Sequence, residues 1–299
     1  MSDRVCAVVV TYNRKLLLGE CLIALQAQTR RVDEIVVVNN ASTDGTEAFL
    51  NEEFPSIQTL NLPKNVGGAG GFHAGMQWAY TQGFDWIWVM DDDGRPAPDC
   101  LEKLFAHGSP NNVLVPILQD SSGRLYGFVM WKKQYINVTD EVLAGKQLTN
   151  GDLTFFFVGP LIPKEVVEQA GLPNKDFFIW FDDCEYALRL QSKTNAKVLF
   201  IPEARFFHDY GGKPREVRVL GRRSIRNYQP PWKTYYGARN HLYTVIRTRR
   251  SLQEWLGYVQ YHLRLLMGDI VYEPDRWERV RMRLKGMYDG ATGKLGKRV

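Results

Sequence analysis

Apolar residues arrive in short, dense runs through the first hundred positions, and a polar cluster closes each run. Val5-Cys6-Ala7-Val8-Val9-Val10 ends at Thr11-Tyr12-Asn13-Arg14. Runs of this length, rich in β-branched residues and bounded by turn residues, read as strands buried on both faces. Leu16–Gln28 follows, with Leu17, Cys21, Leu22 and Leu25 at helical spacing. Glu34–Val38 is a second strand, ended by Asn39-Asn40-Ala41-Ser42, and Thr43–Leu50 reads as a helix with Asp44 in its first turn. Ile57–Leu62 is a third strand. Gly67–Gly71 reads as a flexible glycine loop and His73–Thr81 as the helix behind it. Trp86–Met90 is a fourth strand, running into Asp91-Asp92-Asp93. This alternation predicts an α/β fold, a parallel sheet with helices on both faces. Ligands bind such sheets beyond the carboxyl ends of the strands, where every polar cluster above falls.

The middle of the chain changes character. Val113–Pro116, Phe128–Trp131 and Thr154–Val158 look like strands with no helix between them, which predicts antiparallel additions to the sheet. Pro163–Ala170 and Asp183–Ser192 read as helices, Lys197–Ile201 as a strand followed by Ala204–Asp209. Gly211–Asn227 is polar, basic and glycine-containing, and reads as a mobile loop. From Trp232 the pattern is helical, over Tyr235–Arg247, Leu252–Tyr272 and Arg276–Tyr288, and the last ten residues read as disordered. The predicted division is residues 1–212 for the α/β part and 213–299 for a basic, mostly helical extension.

Composition narrows the class. With 299 residues, 44% hydrophobic and 24% charged, the chain has ordinary globular usage and room for one large domain with an appendage. Cys6, Cys21, Cys100 and Cys184 are scattered with no C-x-x-C pair, which argues against a disulfide framework or a zinc site and for a reducing cytoplasm. The chain enters its first strand directly, so no signal peptide is expected. No uncharged apolar stretch reaches the roughly 18–20 residues that span a bilayer. The net charge of +5 hides an asymmetry. Residues 213–299 hold 20 Lys and Arg against 7 Asp and Glu, a balance of +13, which leaves −8 on the remainder. Leu252, Leu256, Val259, Leu263 and Leu266 recur at helical spacing in this basic part, beside Trp255 and Tyr258. An anionic membrane surface or a lipid-diphosphate acceptor fits that tail. The competing reading packs the same face on the rest of the chain or on a second subunit.

Four clusters carry candidate chemistry. Three adjacent aspartates at a strand end repel one another unless a cation neutralises them, and a hard divalent ion is the obvious one. If the strand continued through them, Asp91 and Asp93 would share a face and Asp92 would point away. The competing reading is a solvated acidic turn. Asn65-Val66-Gly67-Gly68-Ala69-Gly70-Gly71 lies between a strand and a helix, where glycines let backbone approach an anion at the helix start; a plain turn is the alternative. Phe178-Ile179-Trp180-Phe181-Asp182-Asp183-Cys184-Glu185 sets three acids around a helix start. Asp182 and Glu185 resemble a capping box, which leaves Asp183 beside apolar walls, where a raised pKa suits a general base. His208 sits at a strand end before Asp209-Tyr210-Gly211-Gly212, a place for a metal or phosphate contact as well as for a structural histidine.

Together these residues resemble the family 2 inverting glycosyltransferases of GT-A fold. The landmarks run in order over residues 5–210: Val9-Val10-Thr11-Tyr12-Asn13-Arg14, Asn39 through Thr46, Asn65-Val66-Gly67, the aspartates, and Trp180 through Arg189. The triple aspartate, the glycine segment and the late histidine look most like bacterial galactofuranosyl- and rhamnosyltransferases. The resemblance implies a Rossmann-like, nucleotide-binding mixed sheet in residues 1–212, with the acceptor part from about 113. Thr11, Arg14, Asn40, Asn65, Gly67, Gly68, Asp91 and Asp92 would line the nucleotide and donor pocket. Many relatives have an aspartate where this chain has Asn40. Asp93 and His208 would hold Mn²⁺ or Mg²⁺, Asp183 would be the catalytic base, and Trp180 and Asp182 would meet the acceptor. The implied reaction moves galactofuranose from UDP-galactofuranose, or rhamnose from dTDP-rhamnose, onto a glycan or polyprenyl-diphosphate-linked acceptor. Nucleic acid is not an expected partner; the inner membrane surface and a second copy of the chain are. A non-catalytic sugar-binding module and a nucleotide-dependent oxidoreductase are the rival classes, the latter disfavoured because the glycines follow the third strand rather than the first.

Overall fold

The computed structural model describes residues 3–126, 128–131, 134–137, 154–209, 213–219, 222–248 and 252–299. The chain packs as two compact units, one of residues 1–175 and 183–209, the other of residues 176–182 and 210–299.

Among the described residues, the first unit is built on a nine-stranded mixed sheet. Its strands are β1 (Val5–Thr11), β2 (Glu34–Asn39), β3 (Gln58–Asn61), β4 (Trp86–Asp91), β5 (Arg95–Pro96), β6 (Asn112–Gln119), β7 (Leu125–Tyr126), β10 (Leu161–Pro163) and β11 (Lys197–Phe207). The spatial order is β3-β2-β1-β4-β10-β6-β11-β5, with β7 on β6. The strands β1 to β4 are mutually parallel, as the alternating pattern requires. A separate ribbon pairs β8 (Phe128–Trp131) with β9 (Gln134–Asn137).

Side chains alternate along each strand, so the sheet has two apolar faces. Val8, Val10, Val36 and Val38 meet Phe72 and Met76 of α3 (Gly67–Thr81), while α5 (Lys164–Ala170) and α6 (Asp182–Lys193) add Val166, Tyr186 and Leu190 to that cluster. On the other face Ala7, Val9 and Val37 meet Leu18, Leu22 and Leu25 of α1 (Lys15–Gln26) and Leu50 of α2 (Thr46–Glu53). Leu101 and Leu104 of α4 (Cys100–Phe105) close that side. The register sets Thr11 opposite Asn39, and Val10 opposite Asp91, so the polar clusters share one edge.

Several expectations are corrected. The segment 67–71 is not a loop but the first turns of α3. A Cβ on Gly71 would lie 2.5 Å from Val10, and one on Gly75 would lie 2.3 Å from Val8, so the glycines let the helix lie on the sheet. Thr154–Val158 forms no strand. It is apolar because Phe155 and Phe157 are core residues, with Phe157 4.7 Å from Phe72 and 5.8 Å from Tyr186. The strand lies just beyond, at β10, antiparallel to β4 and β6, whereas β6 and β11 pair in parallel. β11 runs unbroken in place of the two segments expected, with a register shift between Ile201 and Arg205.

In the second unit, the expected loop at Gly211–Asn227 is an antiparallel hairpin, β12 (Lys213–Val219) against β13 (Arg222–Tyr228). Gly211 and Gly212 lie outside the described residues. These strands lack the apolar alternation that reveals a strand, so the sequence hid them. Three helices follow: α7 (Pro231–Thr248), α8 (Leu252–Tyr272) and α9 (Arg276–Ala291). Gly286 and Gly290 let α9 press on α7, since a Cβ at either would fall within 2.4 Å of the carbonyl of Tyr235 or Arg239. Tyr235 donates to Asp289 at 2.7 Å, and Arg283 binds Asp269 inside the same unit. The last ten residues are ordered: Gly296 donates to the Asp176 carbonyl at 2.7 Å, and Tyr236 donates to the Val299 carbonyl at 3.1 Å.

Candidate active site

The site grows from the end of β1. Thr11 is buried, and its hydroxyl donates to Asp92 at 2.7 Å. Arg14, three residues on, sends Nη1 to Asp92 at 3.2 Å and to Asp93 at 2.7 Å. The alternation expected of the aspartates does not hold: β4 stops at Asp91, so Asp92 and Asp93 belong to a turn and converge on one guanidinium. Asp92 is almost fully buried, and burial pushes its carboxyl up to about 6 against the pull of Arg14 and the Thr11 hydrogen bond. Asp93 is half-buried; burial raises its pKa, but the His208 hydrogen bond and charge, with Arg14, hold it below the ordinary carboxylate range.

His208 sits one residue past β11. Its Nε2 is 3.5 Å from Asp93 Oδ1. Its Nδ1 is 2.7 Å from the Tyr126 hydroxyl, which also donates to the His208 carbonyl at 2.7 Å. One hydroxyl carries one proton, so with that proton on the carbonyl, the phenol oxygen accepts from Nδ1–H. With Nδ1 protonated, Nε2 is the nitrogen that faces Asp93: as N–H toward the carboxylate in the imidazolium, and as a lone pair open to a cation once that proton is lost. A carboxylate oxygen and an imidazole nitrogen aimed at one point fit a divalent ion such as Mn²⁺. Among the described residues no group of three His, Cys, Asp or Glu completes a protein cage. Water and phosphate oxygens would have to supply the other positions, as such ions commonly require. Sequence reasoning missed Tyr126, which carries no motif and reaches His208 only because β7 lies on β6.

Asn40 and Asn65 arrange the glycines. Asn40 is buried; its Nδ2 donates to the Gly67 carbonyl at 3.0 Å and its Oδ1 accepts from Val66 N–H at 2.9 Å. Asn65 Oδ1 accepts from Gly67 N–H at 2.8 Å. Both ends of the Asn40 amide therefore hold the β3–α3 connection, leaving Gly67 at φ +77° and Gly68 at the N-terminus of α3. The neighbouring loops are tied as well. Asn13, at φ +56°, accepts from Thr43 N–H at 2.6 Å, and Lys15 N–H donates to Asp44 at 3.1 Å.

A third group lies at the start of α6. Asp183 Oδ1 accepts from Cys184 N–H at 2.7 Å. Its rim stays partly open to solvent, yet burial among its surroundings pushes the carboxyl up to about 6. Glu185 faces Arg189 at 2.7 Å, which also donates to the carbonyls of Ala170 and Leu172. In the second unit Asp182 is buried, while Trp180 is 38% exposed with φ +67°.

Comparison with known proteins sets this geometry in a family. The profile described as Glycosyl transferase family 2 matches residues 6–151. A galactofuranosyltransferase, GlfT1, of Mycobacterium tuberculosis is 31% identical over 304 residues, covering 96% of this chain and 96% of that protein. The dTDP-rhamnosyl transferase RfbF of Shigella flexneri is 24% identical over 299 residues, covering 99% of this chain and 98% of its own. Among solved structures, GalNAc-T7 with UDP, GalNAc and Mn²⁺ superposes with a TM-score of 0.61 at 14% identity, over 98% of this chain. The chain spans just over half of that protein, 56% of its length. That likeness shows the fold: a GT-A mixed sheet flanked by helices, with further helices at the C-terminus. At 31% identity along almost its whole length to one such enzyme, the chain belongs to glycosyltransferase family 2. The non-catalytic and oxidoreductase readings fall with that result.

Proposed function

We propose that the protein is a metal-dependent inverting transferase that moves galactofuranose from UDP-galactofuranose to a hydroxyl of a glycan or polyprenyl-diphosphate-linked acceptor. The observation that carries the donor is the end-to-end identity to GlfT1; the pairing of Asp93 with His208 supports the metal. Residues 1–212 would do the chemistry, and residues 213–299 would hold the enzyme at the inner, anionic face of a membrane. Four buried cysteines with no disulfide among them suit that reducing compartment.

Asp93 and His208 would hold Mn²⁺ or Mg²⁺, which when bound offsets charge on the leaving diphosphate. Thr11 and Arg14 brace Asp92 and Asp93, so both carboxylates keep one orientation in the donor pocket with Asp91. Asn40 and Asn65 act through the backbone, fixing Gly67 and Gly68 at the start of α3, where amide groups can meet an anion. Asp183 takes the proton of the acceptor hydroxyl as its oxygen attacks the anomeric carbon. The attack comes opposite the leaving diphosphate, so one displacement inverts the centre. Trp180 offers an apolar face to the acceptor sugar, with Asp182 beside it in the chain.

The test is a screen of sugar nucleotides that reads nucleotide release and transfer together. Turnover with UDP-galactofuranose is the expected outcome. The second reading, rhamnosyl transfer from dTDP-rhamnose, is favoured by the likeness to RfbF over nearly the whole chain, and preferential use of that donor would replace the first.

A further inference from the structure

The second unit contains a seven-residue piece from the middle of the chain, Asp176–Asp182. Five non-glycine residues have positive φ among the described residues, and three of them lie here: Phe178 at +66°, Trp180 at +67° and Phe181 at +67°. Side-chain-bearing residues rarely adopt that conformation unless the surroundings over-determine it. Three consecutive residues of α7 do so. Asn240, fully buried, donates Nδ2 to the carbonyls of Phe177 at 3.0 Å, Ile179 at 3.0 Å and Trp180 at 2.7 Å. Arg239, also fully buried, donates to the carbonyls of Asp176 at 3.2 Å and Phe177 at 2.7 Å, and its Nε donates to Asn240 Oδ1 at 2.8 Å. The ring of His241 stacks on Phe181 at 4.3 Å between centroids, 18° from parallel.

The same helix is notched for the indole. A Cβ at Gly237 would come within 2.9 Å of the Trp180 ring. Lys233, one turn earlier, places Nζ 5.9 Å from the centre of that ring. Trp180 is thus clamped by its backbone and seated against a glycine, and still more than a third exposed. An aromatic ring that is held rigidly and left open is preorganised for a ligand rather than for core packing.

We propose that Asn240 is a positioning residue for acceptor recognition: it fixes the 177–180 turn so that the Trp180 indole, seated at Gly237, presents its free face to the acceptor sugar. The proposal rests on the reading that Trp180 meets the acceptor. Asn240 touches no substrate; it acts through the backbone it holds.

The test uses the full chain, an alkyl glycoside acceptor, and whichever of UDP-galactofuranose and dTDP-rhamnose supports turnover. Acceptor kinetics are compared with binding of the free nucleoside diphosphate in Mn²⁺ and with donor hydrolysis in the absence of acceptor. Asn240→Leu and Gly237→Ala should each raise the acceptor KM and lower kcat/KM for acceptor by about 10²-fold, the scale of a misplaced reactive geometry. Nucleotide binding and donor hydrolysis should not change. Gly237→Ala separates positioning from damage, because alanine is the better helix former and the exposed ring can shift, so its thermal midpoint should hold or rise while transfer falls. Wild-type acceptor kinetics in both variants, or a parallel fall in nucleotide binding, hydrolysis and transfer, would overturn the proposal. Trp180→Ala distinguishes the two readings. An unchanged acceptor KM there removes the Trp180 assignment and this inference with it. A raised KM in Trp180→Ala alone keeps the assignment and overturns only the role of Asn240.

Discussion

Asp93 and Asp183 are carboxylates driven in opposite directions by their surroundings. His208 and Arg14 keep Asp93 ionised well into the acid range, which suits a cation ligand, whereas burial lifts Asp183 to about 6, which suits a base. General-base catalysis contributes about 10²–10⁴-fold, so Asp183→Asn should lose transfer on that scale and still bind nucleotide. A base must be deprotonated, so wild-type kcat/KM should rise with pH through about 6 and level off above it. Near-normal transfer in Asp183→Asn beside a crippled Asp182→Asn would move the role to the other acid. Tyr126 gives a second residue-scale prediction. A partner that fixes a ligand's tautomer is worth about 10–100-fold in metal affinity, so Tyr126→Phe should weaken Mn²⁺-dependent nucleotide binding by that factor. Calorimetry with and without Mn²⁺ reads it, and unchanged Mn²⁺ dependence would show that His208 needs no orienting hydroxyl. The aspartates, Asp183 and His208 were legible because strand ends and helix starts mark themselves in sequence. Tyr126 was not, because its contact with His208 spans 82 residues.

At the scale of elements, α3 shows how a glycine pattern can mislead. Five glycines between residues 67 and 75 argue for a loop by propensity. The helix forms because close packing on β1 and β2 repays the poor propensity, and that packing is invisible in one-dimensional pattern. The positions differ sharply. A methyl at Gly75 would meet Val8 at 2.3 Å and Val38 at 2.9 Å, whereas one at Gly68 has Phe72 at 3.8 Å as its nearest neighbour. Gly75→Ala should therefore cost about 1–3 kcal/mol through overpacking and lower the melting midpoint, while Gly68→Ala should leave it unchanged. Differential scanning calorimetry of the two variants compares them directly, and equal midpoints would refute close packing as the reason for the glycines. Hairpin β12–β13 is the converse case, where charged, unalternating strands form through pairing that the sequence does not advertise.

At the scale of the molecule, the basic tail keeps an apolar stripe uncovered. Leu252, Leu256, Val259, Leu263, Met267 and Val271 of α8 are 45–75% exposed, while Tyr258 turns inward against His241 and His262. None of the helices among the described residues is long and apolar enough to cross a membrane. Under the proposed function the stripe and the +13 balance would seat the enzyme on anionic lipid, each basic residue near the surface adding about 1 kcal/mol. Cosedimentation with anionic vesicles should be strong at low salt, weaken at high salt, and fall in a Leu256→Asp, Leu263→Asp variant. No binding at low salt, together with a dimer lost on truncation near residue 250, would assign the stripe to a second subunit. The sequence by itself determined the alternating strands and helices, the acidic edge, the charge division and the family, because these are local patterns or ordered motifs. Tertiary structure alone decided that Asp92 and Asp93 share Arg14, that Tyr126 orients His208, and that Asn240 holds the strained turn beneath Trp180. Each of those pairs residues 60 or more positions apart, and no periodicity along a chain encodes such a meeting.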